Sequence, residues 1–444
     1  MTAGVPRGNG RTAEREESVN YRAPKGTKDV LPGDSYKWQY LENKIRELTA
    51  KYGIREARTP VIEHTELFLR GVGDTTDIVQ KEMYTFEDKG GRSITLKPEG
   101  TAGIVRMFVE NNLCSDLQPT KIFYLNSPVF RYERPQAGRL REHHQFGVEI
   151  FGAPEPTADA ECISLVLEFL SGIGLKNLKV KLNSIGCPEC RPAYHKALHA
   201  YLAERYDALC ETCKGRFETN PLRILDCKVP SCQALLTDTP VITDYLCDSC
   251  RTHFETLQHY LKLMGVSCEL DPKLVRGLDY YTKTVFEVVS EDMTPQIAIC
   301  GGGRYDNLVH ELGGPACAGI GFGLGMERLL MLMEETGTEV PSAPLYDLFI
   351  ASAGAESKDK VFELCWQLRA KGLKADIDHV GRSLKAQMKF ADKVGAVRIL
   401  VVGENELTSG TGRIKNMRTG EEKEIGLDAE SIAGFILNGE KENE

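Results

Sequence analysis

Arginine and glutamate recur where strands and glycine-rich turns would hold them. They stand in Arg131-Tyr132-Glu133-Arg134, at Arg139 and Arg141, and at Arg276 within Leu274-Val275-Arg276-Gly277-Leu278-Asp279-Tyr280-Tyr281; Arg328 follows a run of alternating glycines. A guanidinium carries a fixed charge and a planar fork of donors that matches phosphate oxygens in pairs. Several of them converging from distant segments would suit a polyphosphate undergoing displacement. Taken singly, each serves equally well as a surface charge or an ion-pair partner. The common nucleotide and hydrolase devices are missing: there is no GxxxxGK(S/T), no GxSxG and no HExxH. Gly319-Ile-Gly-Phe-Gly-Leu-Gly325 alternates glycine, but lacks the acidic partner downstream that a dinucleotide fingerprint requires.

Cysteine forms a second constellation. Of 14 cysteines, eight lie between Cys187 and Cys250, as Cys187-x2-Cys190, Cys210-x2-Cys213, Cys227-x4-Cys232 and Cys247-x2-Cys250. With no secretory signal at the start, a disulfide framework is not expected and the chain is read as reduced. The spacings suit thiolate zinc sites, one or two of them, although the CPEC at 187 serves equally as a helix-start turn. Cys210, Cys213, Cys247 and Cys250 are the candidate ligands, should a structural zinc be present. A third feature is basic. Lys385, Lys389 and Lys393 step by four along one helix, flanked by Arg382 and Arg398, a stripe that suits RNA backbone or simply a solvated face.

The elements that must position these groups follow from periodicity. Trp38, Leu41, Ile45, Leu48 and Tyr52 recur at helical spacing, so a helix is expected over about 35–52, then a strand over 54–62 running into Pro60. A helix over 100–111 and two extended runs, 121–132 and 142–151, follow. In the second run Gln145, Gly147, Glu149 and Phe151 share one face, and Phe146, Val148 and Ile150 the other. The polar face either lines something polar or meets solvent. Residues 155–270 read as mostly helical, 271–325 as strand-rich, and 325–335 as a helix. After a linker, strands at 347–352, 374–378 and 398–402 alternate with helices at 356–371 and 383–394, a small α/β domain.

Composition bounds the answer loosely. The 444 residues allow two or three domains, and 41% hydrophobic with 27% charged residues is ordinary for a globular protein. A net charge of −9 argues against a surface coated for non-specific DNA binding, but leaves local RNA contacts open. No apolar run approaches the roughly 18–20 residues needed to cross a bilayer. No membrane association is therefore expected, the first twenty or so residues read as a disordered tail, and a cytoplasmic location is expected.

Several separated strings, in order, resemble the class II aminoacyl-tRNA synthetases. Phe130-Arg131-Tyr132-Glu133-Arg134-Pro135 with His144-Gln145-Phe146-Gly147-Val148-Glu149 is similar to motif 2, and GIGFGLGMERL (Gly319 to Leu329) to motif 3. The helix at 35–52 with the strand to Pro60 resembles motif 1, a dimer interface in that class. LVRGLDYYT (274–282), GGGRYDNLV (301–309) and the PEGT turn at Pro98 to Thr101 are similar to the histidyl family in particular. The resemblance covers about residues 24–430. It implies an α+β catalytic domain (24–335) built on an antiparallel sheet with flanking helices, a mostly helical Cys-rich insertion (about 186–260), and a C-terminal α/β anticodon-binding domain (345–444).

The resemblance also implies roles. Glu99 and Gln145, with Thr101 beside them, would hold the α-amino group of histidine; Glu149 and Tyr281, with Tyr280 adjacent, would take the two imidazole nitrogens. Arg131 and Arg276 would grip the α-phosphate of ATP, Arg328 and Arg139 its γ-phosphate end, and Glu133 would lie near the adenine. His143 stands where the family commonly has a stacking Phe, and Leu140 replaces a frequent Tyr. Arg131 and Arg276 are the expected catalytic groups. Gln136, Arg382, Lys385 and Lys389 are the candidate contacts to histidine tRNA. ATP with magnesium and L-histidine are the implied substrates, and a homodimer the implied assembly. The alternative is a non-catalytic, histidine-sensing regulatory subunit of ATP phosphoribosyltransferase, a relative that would lack the anticodon-binding domain and usually loses parts of the ATP and histidine strings.

Overall fold

Alternating side chains make Glu142–Phe151 a strand with two unlike faces, and the sheet is built around that difference. Residues 21–440 are described by the computed structural model, apart from 74–75, 137 and 293–297. The expected tail therefore lies outside the described residues up to residue 20. The chain divides between Val340 and Pro341 into two compact units.

The first unit carries an eight-stranded sheet in the order Arg55–Glu56, Thr120–Phe130, Glu142–Phe151, Gly319–Gly325, Ala298–Arg304, Thr282–Ser290, Leu178–Ser184 and Cys268–Leu270. The six inner strands pair antiparallel, and each short edge strand runs parallel to its neighbour. One face of the sheet is apolar. Phe146, Val148, Ile150, Ile320, Phe322, Leu324, Phe286 and Val288 are buried there with Leu41 and Ile45 of the helix Ser35–Lys51. The helices Pro156–Gly172, Asp248–Leu263 and Met326–Glu335 add to the same core. The other face carries glycine and polar side chains, with the helix Thr101–Glu110 packed beyond it.

The expected strand at 54–62 is two strands in different sheets. Arg55–Glu56 joins the large sheet, and Ile62–His64 joins a three-stranded sheet with Ser93–Leu96 and Tyr84–Glu87. Pro60 between them has no N–H to continue a ladder. The expected helical region also contains one inner strand, Leu178–Ser184. Its lysines at 179 and 181 alternate with apolar residues near a sheet edge, which weakens its apolar signal. Between it and Cys268–Leu270 the chain runs through short helices, from Arg191–Ala203 to Asp248–Leu263.

In the second unit a five-stranded sheet is ordered Ala375–Ile377, Leu348–Ser352, Arg398–Val402, Thr411–Asn416, Glu422–Gly426. The first three strands are parallel, as the alternation of strand and helix implied, and the last two add antiparallel. The helices Lys358–Ala370 and Ala429–Glu440 cover one side and Leu384–Lys393 the other. The closing hairpin, rich in Lys, Arg and Glu, carries too little apolar alternation to be read from sequence.

One ion network ties the apolar face of the large sheet to two of its helices. Arg304, at the end of Ala298–Arg304, is fully buried and pairs with the fully buried Asp159 of Pro156–Gly172. It also donates to the carbonyls of Ala153 at 2.9 Å and Glu155 at 3.2 Å. His253 of Asp248–Leu263 reaches the same carboxylate at 3.2 Å. Burial works against the Asp159 charge, yet His253 and Arg304 together hold its pKa below the usual range. Removing one partner of such a pair strands the other charge in the core. Arg304→Met is expected to cost about 3–5 kcal/mol, read as a lower urea midpoint; an unchanged midpoint would show that the pair contributes nothing.

Candidate functional site

The polar face of the sheet carries a row of glycines, and Glu149, Tyr124, Tyr305, Arg276 and Tyr281 each lie against one of them. In the ladders Gly321 stands opposite both Glu149 and Gly303, and Gly323 opposite both Gly147 and Gly301. A Cβ at Gly321 would overlap the Glu149 carboxylate and the Val148 carbonyl, one at Gly147 the Tyr124 ring, and one at Gly319 the Tyr305 ring. A Cβ at Gly301 would overlap the Arg276 guanidinium, and one at Gly303 would sit 2.9 Å from the Tyr281 ring. The alternating glycines are thus spaces for functional groups.

At one end is a carboxyl pocket. Glu149 is 1% exposed. The Thr101 hydroxyl donates to its Oε1 at 2.8 Å, and the Tyr305 hydroxyl donates to its Oε2. Burial pushes its pKa up to about 8, against the pull of these two donors. The solvent-facing reading of this strand face does not hold. Tyr280 and Tyr281 stand side by side, ring centroids 4.7 Å apart, and Tyr280 also meets the Tyr305 ring edge-on. Burial raises the Tyr281 pKa to about 12, although Arg276 nearby pulls the other way. Glu99 is committed locally: its two oxygens accept the amide N–H groups of Thr101 and Ala102 at 2.8 and 2.7 Å, anchoring the start of the helix Thr101–Glu110. The Tyr280 hydroxyl lies 3.5 Å from it. Gln145 has its Oε1 buried without a partner, an acceptor a ligand can satisfy.

At the other end the site is cationic. Arg276 pairs with Glu287 of the neighbouring strand, and its Nε is buried without a partner. Burial opposes its charge, but Glu287 and Tyr281 more than offset this and raise its pKa. Arg328 donates to the carbonyls of Ala298 at 2.5 Å and Gly138 at 3.4 Å, and its Nε too has no partner. Burial, followed by the nearby Arg139 and Arg131, lowers its pKa. Arg131 donates to the Pro98 carbonyl at 2.8 Å. Arg139 and Glu133 are 3.7 Å apart on the loop between the two motif 2 strands. His143 is neutral: burial first, then Arg131 and Arg328, push its pKa down to about 3. Its Nδ1 has no partner. Excess positive charge with unused donors is a place for an anion.

The two ends form one site: Arg276 lies against Gly301 and Tyr281 against Gly303 of the same strand, and Arg131 bonds the Pro98 carbonyl next to Glu99. All the histidine- and ATP-directed residues expected from sequence thus come together. Gln136 is exposed at the tip of the motif 2 loop, where its backbone pairs with that of Arg139 at 2.9 and 3.0 Å. The expected set Cys210, Cys213, Cys247 and Cys250 is not one centre. Cys210 and Cys213 gather with Cys227 and Cys232, whereas Cys247 and Cys250 gather with Cys187 and Cys190. In the second unit Lys385 and Lys389 are exposed on the helix Leu384–Lys393. Arg382 is engaged: it donates to Asp378 at 2.7 Å and lies over the Phe390 ring.

Three site residues were not singled out by sequence. They are Tyr124, Tyr305 and Glu287. Glu287 was detectable as an acid within a strand whose neighbours are Val and Phe. Glu149 generates a pH prediction. Because its folded pKa of about 8 lies above its ordinary 4.5, its contribution to stability is full below 4.5 and is lost as pH rises through 8. Glu149→Gln should therefore gain stability over the parent as pH rises from 5 to 9 in denaturant titrations without ligand. A pH-independent difference would refute this burial cost.

Comparisons with known proteins agree with this geometry. The family model described as Histidyl-tRNA synthetase matches residues 26–216 and 226–329, and the one described as Anticodon binding domain matches 347–436. A Histidine–tRNA ligase of Caldanaerobacter subterraneus subsp. tengcongensis is 58% identical over 407 residues, 92% of this chain and 97% of that protein. One from Clostridium perfringens (strain SM101) is 54% identical over 416 residues, 94% of this chain and 99% of the other. The crystal structure of apo S. aureus histidyl-tRNA synthetase superimposes with a TM-score of 0.80 at 39% identity, covering 94% of this chain and 100% of that one. With the motif 2 and motif 3 strands paired around a buried Glu149 and a convergent arginine set, the chain belongs to the histidyl-tRNA synthetase family.

Proposed function

We propose that the protein is a histidine–tRNA ligase in which Glu149 and Tyr281 grasp the imidazole of L-histidine and the arginine set holds ATP. The observation that carries this reading is the buried Glu149 carboxyl, held by Thr101 and Tyr305 beside Tyr281, on a floor that continues to Arg276. Imidazole is polar at two opposite points, and a carboxyl and a phenol answer both. A pocket of such groups rejects apolar analogues by up to roughly 10⁴-fold, because its own polar atoms would be left unpaired. Gln145, with its free Oε1, takes the α-amino group, and Thr101 and Glu99 fix the helix that borders the pocket.

Chemistry is in-line attack of the histidine carboxylate on the α-phosphorus, with pyrophosphate leaving. The carboxylate is already a nucleophile, so no general base is required, and catalysis is positioning and charge stabilisation. Arg131 and Arg276 meet the α-phosphate, and Arg139 and Arg328 meet the outer phosphates. The neutral His143 ring stacks on adenine, with Glu133 near the base. ATP would enter as its magnesium complex, and Glu287, a partly buried carboxylate paired with Arg276, would help to hold the ion there. Histidine then passes to the 3′ end of histidine tRNA, whose acceptor end meets the motif 2 loop at Gln136. The second unit, with Lys385 and Lys389 exposed and Arg382 half-buried beside them, contacts the tRNA elsewhere. A homodimer through the motif 1 helix and a cytoplasmic location complete the reading; among the described residues no helix is long and apolar enough to cross a membrane. A regulatory, non-catalytic role is disfavoured by the intact arginine set and the second unit.

Histidine-dependent exchange of pyrophosphate into ATP tests the whole reading, and a panel in which another amino acid drives exchange, or none does, would sink it. Arg276→Ala should lower kcat on the order of 10²–10³-fold in protein that remains folded by circular dichroism. For His143, replacement by Phe should preserve the KM for ATP and replacement by Ala should raise it; equal KM values in all three proteins would remove the stacking role.

A further inference from the structure

Eight thiols in the insertion sit in two groups whose geometry is that of tetrahedral metal centres. In the first, Cys187 and Cys190 follow the strand Leu178–Ser184, and Cys247 and Cys250 open the helix Asp248–Leu263. In the second, Cys210 and Cys213 open the helix Glu211–Thr219, Cys227 lies in the turn after it, and Cys232 is in the helix Pro230–Leu235. Within each group all four sulfurs lie within 4.8 Å of one another. The separations Cys187–Cys190, Cys187–Cys247 and Cys210–Cys227 are 3.6, 3.9 and 3.9 Å. Four sulfurs at about 2.3 Å from a zinc ion form a tetrahedron with edges of about 3.8 Å, whereas a disulfide would need about 2.05 Å.

Each group also has a backbone N–H at one of its sulfurs: the Cys247 N–H lies 3.1 Å from the Cys190 sulfur, and the Cys210 N–H 3.2 Å from that of Cys232. Two helices in this region have only nine and six residues. Elements so short bury little apolar surface and call for cross-links.

The first group also reaches the active site. Arg191, next to Cys190, donates to the backbone carbonyl of Tyr281. Ile185 N–H donates to Lys283 at 2.7 Å, and Lys283 N–H to Gly186 at 2.9 Å, so the turn into Cys187 is stitched to the strand that follows Tyr281. Arg191 and Arg276 line one cleft of 180 Å³ with His195 and Arg223.

We propose that the insertion holds two structural zinc ions, one on Cys187, Cys190, Cys247 and Cys250 and one on Cys210, Cys213, Cys227 and Cys232, and that the first positions Tyr281 through Arg191. Each centre forms when four thiols lose their protons to solvent and bind one Zn²⁺, with no change in oxidation state. The Tyr281 clause rests on the histidine reading above; the metal count does not.

The test uses the full chain purified with reductant and without added metal. Elemental analysis should give two zinc per chain, Cys250→Ser one and Cys232→Ser one. Cobalt-grown wild-type protein should show visible tetrahedral cobalt–thiolate absorption, a readout that survives if the variants do not fold. Iron in place of zinc, fewer than two zinc in the parent, or a mass deficit from disulfides in the unreduced chain would each overturn the proposal. In pyrophosphate exchange Cys250→Ser should raise the KM for histidine by roughly tenfold and spare that for ATP, while Cys232→Ser moves neither. An unmoved histidine KM removes the positioning role alone, and absence of histidine-driven exchange in the parent sinks the functional reading while leaving the zinc count intact.

Discussion

Room on a sheet face is the constraint on which the rest of this site depends. Glu149, Arg276, Tyr124 and Tyr305 are large or charged side chains lying flat against strands, and they fit only because Gly321, Gly301, Gly147 and Gly319 offer no Cβ beneath them. Glycine in a strand interior costs packing and chain entropy. Here that cost falls chiefly on one face, Gly302 against Phe286 and Phe322 being the exception, while alternate positions of the same strands carry Phe322, Leu324, Val148 and Ile150 into the main core. The two-residue period of the β-strand lets one segment serve a rigid core and an open site at once.

Electrostatics divides the floor. One end buries a carboxyl so deeply that its pKa rises to about 8, and at the other burial, followed by the neighbouring Arg139 and Arg131, lowers the pKa of Arg328. Each end is unfavourable in the empty protein and relieved by a ligand of the right kind: a hydrogen-bonding ring at the first, an anion at the second. Tyr281 lies between them and senses both. A ligand carrying both features, an amino acid joined to a phosphate, would satisfy the whole floor together.

The surrounding scaffold keeps that floor flat. Arg304, Asp159 and His253 lock a sheet strand to two helices on the apolar side. Glu99 anchors a helix on the polar side through its first amides. Charges so deeply buried persist because each has partners with defined geometry, which favours one arrangement of the elements over looser alternatives.

Much of this was legible in the residues. The helices at 35–52, 100–111 and 325–335, the paired runs at 121–132 and 142–151, and the strand–helix rhythm of the last hundred residues follow from apolar spacing, a local property that tertiary packing preserved. The motif strings pointed to side chains that the fold gathers around one sheet face. Tertiary structure alone decided three things. It split the strand expected over 54–62 between two sheets, since partner choice depends on what lies alongside. It brought in Tyr305, Tyr124 and Glu287, because an aromatic or an acid within an apolar run has the same local pattern whether it fills a core or faces a ligand. It also sorted eight cysteines into two groups, because which thiol meets which is set by how the intervening helices fold back, and spacing along a chain carries no record of that path.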